Sequence, residues 1–162
     1  MSDVIISWTI RFALLLLWFA WWLRLKRAGR AAACCFFASW CVYACHVLAA
    51  FHWVHDWSHR HAVEHTAEVS RRITGISAGF GIYFNHLLMV VWLWIAWDAW
   101  QQTRSESSSS RAIILRRCAL VYLIFMVIQG AILFAPLGTA VTTTLMLAGL
   151  TYLTLKNTRS AD

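Results

Sequence analysis

Long apolar runs separated by short polar segments dominate the chain, and a transmembrane helix needs about 20 consecutive apolar residues. Two such runs cover residues 4–23 and 31–54. A third covers residues 75–97, and a polar segment at residues 55–74 separates it from the second. The pattern predicts an all-α fold, a polytopic membrane helix bundle that forms one domain over residues 1–162.

The last apolar stretch, residues 118–155, is too long for one straight span. As a single helix it would run to about 57 Å, against a hydrocarbon core of about 30 Å. Ala135-Pro136-Leu137-Gly138 has the composition of a turn. We therefore expect two spans here, at residues 118–135 and 138–155, which gives five in all. The alternative is four spans, of which the last is long and kinked.

Composition agrees with a membrane location. Hydrophobic residues make up 60% of the chain, tryptophan occurs 11 times and the mean hydropathy is +0.61, which is too apolar for a soluble domain of this size. The net charge of +7 comes from basic clusters between the apolar runs. Such clusters indicate the orientation of a membrane protein, and we do not predict a nucleic-acid partner. The five cysteines lie within or beside apolar segments, and we expect them to be free thiols.

The lysines and arginines predict the orientation, because they concentrate on the cytoplasmic side of membrane proteins. Five spans with the N-terminus outside place ten of them inside: Arg24, Lys26, Arg27, Arg30, Arg104, Arg111, Arg116, Arg117, Lys156 and Arg159. Only Arg60, Arg71 and Arg72 then lie outside. The chain is thus expected in a bacterial inner membrane, with residues 55–74 periplasmic and the C-terminus cytoplasmic. Four spans would move Lys156 and Arg159 outside.

Six of the seven histidines lie between positions 46 and 65, and imidazole is a common metal ligand. If the second span continued as a helix beyond residue 54, His52, His55 and His59 would share one face on successive turns. This spacing predicts a metal site, with His46 or His86 as further ligands. The alternative for this face is a solvated, polar helix extension.

A second group, His61, Glu64 and His65, falls on a different face of the same segment and supplies secondary candidates. His61-Ala62-Val63-Glu64-His65 formally matches the H-x-x-E-H metalloprotease pattern. No later outer segment offers a third carboxylate ligand, so we do not predict a protease.

Depth in the membrane connects His46 with His86. Counted at 1.5 Å per residue, both lie about 13–17 Å below the outer surface. Arg11, Asn85 and Gln129 also fall in the outer half, where polar groups are costly and indicate function. These residues predict a polar cavity that opens outward, with His46 and His86 at its base.

Several short motifs carry a family resemblance: Ala50-Phe51-His52, Trp57-Ser58-His59, Glu64-His65-Thr66-Ala67 and Gly81-Ile82-Tyr83-Phe84-Asn85. They resemble a family of small uncharacterised bacterial membrane proteins over roughly the second and third spans, and this implies no known activity. In size, span count and tryptophan content the chain is also similar to the tryptophan-rich sensory or translocator proteins, which bind porphyrins and sterols. It lacks their proline-rich tryptophan motif.

We expect a redox protein, or a subunit of a redox complex with other membrane subunits or a second copy. The cofactor would be iron or copper on His52, His55 and His59, or a b-type haem between His46 and His86. The alternatives are a metal-free proton or small-solute carrier and a structural subunit.

Overall fold

The computed structural model describes residues 2–104, 110–133 and 137–159, and every regular element within them is helical. The elements are α1 (Ser2–Leu25), α2 (Gly29–Trp53), α3 (His59–Thr74), α4 (Gly81–Gln101), α5 (Ser110–Ile128), a π-helix (Gln129–Leu133) and α6 (Leu137–Arg159). The predicted all-α class is therefore confirmed.

Three of the described helices are long and apolar enough to cross a membrane: Val4–Leu25, Gly29–Trp53 and Gly81–Gln101. Helix α5 begins at Ser110, before the predicted residue 118, and includes three arginines in its first turns. Most of the predicted turn at residues 135–138 lies outside the described residues, and Leu137 begins α6.

The helix surfaces suit a lipid environment. One stripe of α1 consists of large apolar side chains that are 40–53% exposed: Trp8, Phe12, Leu15, Phe19 and Trp22. The opposite face buries small residues such as Ala13 and Ala20, both 0% exposed. Such a stripe would promote aggregation in water but is well solvated by lipid tails.

The interior combines small residues with a few large rings. Helix α1 packs along α2, α2 along α4 and α4 along α5, and α6 contacts α1. Trp92 and Phe36, each 1% exposed, fill the space between these helices. The Trp92 indole N–H donates to Ser39 Oγ at 3.1 Å, and that hydroxyl donates to the Phe36 carbonyl at 2.7 Å. The buried polar groups of Trp92 and Ser39 therefore both have hydrogen-bond partners.

A polar clamp joins three helices at the opposite end from the histidines. Arg116 on α5 donates two hydrogen bonds to Asp98 on α4, with Nε–Oδ2 at 2.7 Å and Nη2–Oδ1 at 2.9 Å. Gln102 donates to the same carboxylate and accepts from Arg24 at the end of α1. The clamp places the C-terminal ends of α1 and α4 and the arginine-rich start of α5 at one end of the bundle.

The third apolar helix begins later than the predicted residue 75. Gly75 ends α3 in the left-handed conformation, at φ 78°, and its N–H donates to the Arg71 carbonyl. Gly79 lies against α3 so closely that a Cβ there would be 2.9 Å from both Cγ1 and O of Val63. Residues 75–80 therefore form a connection, and α4 starts at Gly81.

Candidate functional site

A tight connection between α2 and α3 determines where the histidines point. Asp56 and Trp57 both have positive φ, 48° and 58°, which no helix can accommodate. Ser58 then caps α3, since its hydroxyl accepts from the His61 N–H at 3.2 Å. Helix α2 thus ends at Trp53. The sequence pattern placed His52, His55 and His59 on one face of a helix that continued past this point, and that continuous helix does not form.

Those three histidines consequently point to different neighbours. His52 Nδ1 accepts from the Trp57 indole at 3.2 Å on the exposed surface. His59 contacts the start of α4, with Nε2 3.3 Å from the Tyr83 hydroxyl. His55 faces α3 instead, and the three side chains are not brought together.

His55 occupies the most unusual position. It is 7% exposed, and its Nδ1 is buried with no hydrogen-bond partner. Its ring lies 5.3 Å from that of His65 and 6.0 Å from that of His61, between centroids. Burial and these two neighbouring imidazoles lower the pKa of His55, so it stays neutral, which is the state that can bind a metal.

The side chains of His61 and His65 are exposed and four residues apart on α3, so they share one face of that helix. Neither ring makes a hydrogen bond to another residue in the described part of the chain. Glu64, the other secondary candidate, pairs with Arg60 at 2.8 Å. The structure therefore groups His55 with His61 and His65, and we call these three residues the histidine cluster.

His46 lies deeper, on α2, where its Nδ1 is 3.0 Å from the Ile6 carbonyl and 3.2 Å from Thr9 Oγ1. A carbonyl can only accept, so Nδ1 carries the proton and Nε2 keeps its lone pair. The ring stacks on Tyr43, which in turn stacks on Trp92. This packing fixes the orientation of His46.

A cavity of about 300 Å³ extends from the histidine cluster to His46. His46, His55, His65 and His86 all line it, together with the rings of Tyr43, Phe51 and Trp92. We call it the histidine cavity. His46 and His86, which the depth count paired, thus border the same space as two members of the histidine cluster. His52, His59 and Arg11 do not line it, and Arg11 lies over the Trp8 ring at 5.4 Å.

A second cavity, of about 540 Å³, adjoins the first. The two share five lining residues: His65, Thr66, Asn85, Met126 and Gly130. The second cavity adds Gln129 and the rings of Phe80 and Phe84. The sequence indicated Asn85 and Gln129 as pocket residues but not this cavity, because the cavity lies between α3, α4 and the π-helix, which are distant in the chain.

In residues 2–104, 110–133 and 137–159, no group of three or more His, Cys, Asp or Glu side chains is placed so that it could hold a metal ion. The cysteines are free thiols, as expected, and all but Cys35 are exposed. Comparisons of the chain with protein-family models, with curated proteins and with solved structures give no match.

Proposed function

We propose that this chain is an integral membrane protein that binds a transition-metal ion, iron or copper, through the histidine cluster. The observation that supports it most is the buried, unpartnered Nδ1 of His55 between two exposed imidazoles. A buried polar atom without a partner costs about 1–3 kcal/mol. Coordination of a metal by His55 would remove that cost.

The spacing of the rings fits shared coordination. Metal–nitrogen bonds of about 2.1 Å in tetrahedral geometry bring the centroids of two imidazole ligands to about 5 Å from each other. The observed separations from His55 are 5.3 Å to His65 and 6.0 Å to His61. His61 and His65 are exposed and lack hydrogen-bond partners in the described residues, so their rings can turn toward a common ion.

The ligand chemistry favours a redox metal over a structural ion. Imidazole binds iron, copper and zinc, but structural zinc sites are usually closed by thiolates. No cysteine lies in the connection or in α3, and Glu64 pairs with Arg60. A site of imidazoles that is open to solvent suits electron transfer, either in this protein alone or in a complex with other membrane subunits.

The proposed topology has five spans with the N-terminus outside. In addition to α1, α2 and α4, helices α5 and α6 would be the fourth and fifth spans. The clamp of Arg24, Asp98 and Arg116 lies at the opposite end from the histidine cluster, which agrees with the charge distribution. The cluster would then face the periplasm.

A b-type haem is the second candidate cofactor, and the hydrogen bonding of His46 favours it. The Nδ1 proton is directed to the Ile6 carbonyl, and such a bond is typical of a ligating histidine. Nε2 is thereby left available. His86 borders the same cavity and would be the second residue to hold the haem iron.

Elemental analysis tests the proposal directly. The protein would be purified in detergent from its native membrane, without added metal and with a tag that contains no histidine. We expect nearly one iron or copper per chain, and a Soret band would distinguish haem from a histidine-only site. Folded protein that contains no iron or copper, and takes up neither on titration, would contradict the proposal.

A further inference from the structure

The second cavity has the features of a binding site for a lipid-soluble molecule with a polar ring. Its volume, about 540 Å³, is within the range of small-molecule sites. Its lining is mostly apolar, as expected for such a site. It touches the histidine cluster only at His65 and lies apart from the clamp.

Two carboxamides provide the polar recognition. The side chains of Asn85 and Gln129 border the cavity, and neither forms a hydrogen bond within the residues that the structure describes. Each offers both a donor and an acceptor. In the outer half of a membrane such groups are costly when unpaired, so a ligand with carbonyl or hydroxyl oxygens would stabilise them. Neither carries a charge, which favours a neutral ligand.

Aromatic side chains favour a planar ring. Phe80 and Phe84 lie 6.1 Å apart in an edge-to-face arrangement and border the cavity, although they are 60% and 41% exposed. An aromatic ligand ring could stack against either one. Their exposure also indicates that the cavity can be reached from the surrounding lipid.

The π-helix shapes the remaining wall. π-Helical turns are rare and often occur at functional sites, and this one, Gln129–Leu133, begins with the carboxamide residue itself. At Gly130, a Cβ would meet no atom within 4 Å, so the backbone here faces open space that a ligand could fill. Gly130 also borders the histidine cavity.

We propose that the second cavity binds a neutral quinone-class molecule, with its ring stacked against Phe80 or Phe84 and its oxygens hydrogen-bonded to Asn85 and Gln129. The ring would lie beside His65, which both cavities share. This inference goes beyond the proposed metal site and does not depend on it.

Binding of decylubiquinone to the full-length protein in detergent tests this inference. Quenching of tryptophan fluorescence gives the dissociation constant of decylubiquinone. The matched probe is decylbenzene, which has the same tail and a ring without oxygens; because it does not quench, its binding is measured by competition with decylubiquinone. We expect saturable binding of decylubiquinone and at least tenfold weaker binding of decylbenzene. Equal binding of the two would overturn the inference, because it would indicate an unspecific apolar crevice.

Four variants locate the site. Asn85→Leu and Gln129→Leu should each weaken decylubiquinone binding about tenfold, the effect of one lost hydrogen bond. Gly130→Leu should abolish it by filling the cavity. Gly149→Leu is the control, since a Cβ there also meets nothing within 4 Å and Gly149 borders neither cavity. Unchanged affinity in Gly130→Leu, with a native circular dichroism spectrum, would overturn the inference. Metal content measured on the same variants keeps this result separate from that of the histidine cluster.

Discussion

His59 and His86 stack face to face, with ring centroids 5.8 Å apart and planes 26° from parallel. His59 begins α3 and His86 lies in the second turn of α4. This stack and the contact of His59 with the Tyr83 hydroxyl therefore hold the start of α3 against α4. The sequence proposed both residues as ligands, whereas the contacts indicate a structural role for His59.

The first prediction concerns that role. His59→Ala should lower the free energy of unfolding by about 1 kcal/mol, the typical contribution of a stacked ring pair, and should speed amide exchange in the first turns of α3. Hydrogen exchange followed by mass spectrometry measures this. Metal content should stay the same, and a loss as large as that in His55→Ala would make His59 a ligand.

The second prediction concerns the cap of α3. Ser58→Ala removes the acceptor of the His61 N–H and should cost about 1 kcal/mol of stability. Ser58→Asp should retain most of the wild-type stability, because an aspartate side chain is also a good helix N-cap. Ser77→Ala is the control, since Ser77 is exposed and its side chain makes no hydrogen bond in the described residues. Urea titration in detergent would show the difference, and equal stability of Ser58→Ala and wild type would exclude a role for the cap.

The third prediction concerns the clamp. Asp98→Asn leaves the Arg116 guanidinium, whose side chain is only 20% exposed, without its charged partner, which should cost about 2 kcal/mol. The double variant Asp98→Asn/Arg116→Gln should recover part of that loss, because the uncompensated charge is then gone. Arg60→Ala, at a fully exposed ion pair, should not change the thermal unfolding temperature. Failure of the double variant to recover stability would show that the pair is not coupled.

The fourth prediction concerns topology. In a variant without the five native cysteines, Arg72→Cys should react with a membrane-impermeant maleimide in intact cells. Lys26→Cys and Lys156→Cys should react only after the membrane is broken. Labelling of Lys156→Cys from outside would support four spans, and labelling of Lys26→Cys from outside would reverse the orientation.

The sequence predicted the first two long apolar helices within a few residues, because the predominantly apolar runs at residues 4–23 and 31–54 leave few alternatives. It missed the start of α4 because apolar composition continues through residues 76–80. The signal that was available is Gly75 after Arg71-Arg72, since basic residues followed by glycine often end a helix.

The histidine cluster was missed for a related reason. Periodicity assumes one continuous helix, whereas positive φ at Asp56 and Trp57 turns α3 away from α2. Asp56 and Ser58 are both residues that favour turns and helix starts, and they could have placed a boundary before His59. The partners of His55 depend on how α3 packs, and no local pattern gives that.

The metal affinity of a His55 variant is the decisive test of whether the histidine cluster binds a metal ion. Tag-free, metal-free protein would be titrated with cobalt(II), which shows a visible absorption band when imidazoles bind it. Wild-type protein should bind about one equivalent, and His55→Ala should bind on the order of a hundredfold more weakly, because a ligand is lost. His52→Ala, which changes a histidine outside the cluster, should remain within about twofold of wild type. Equal affinity of His55→Ala and wild type would contradict the account.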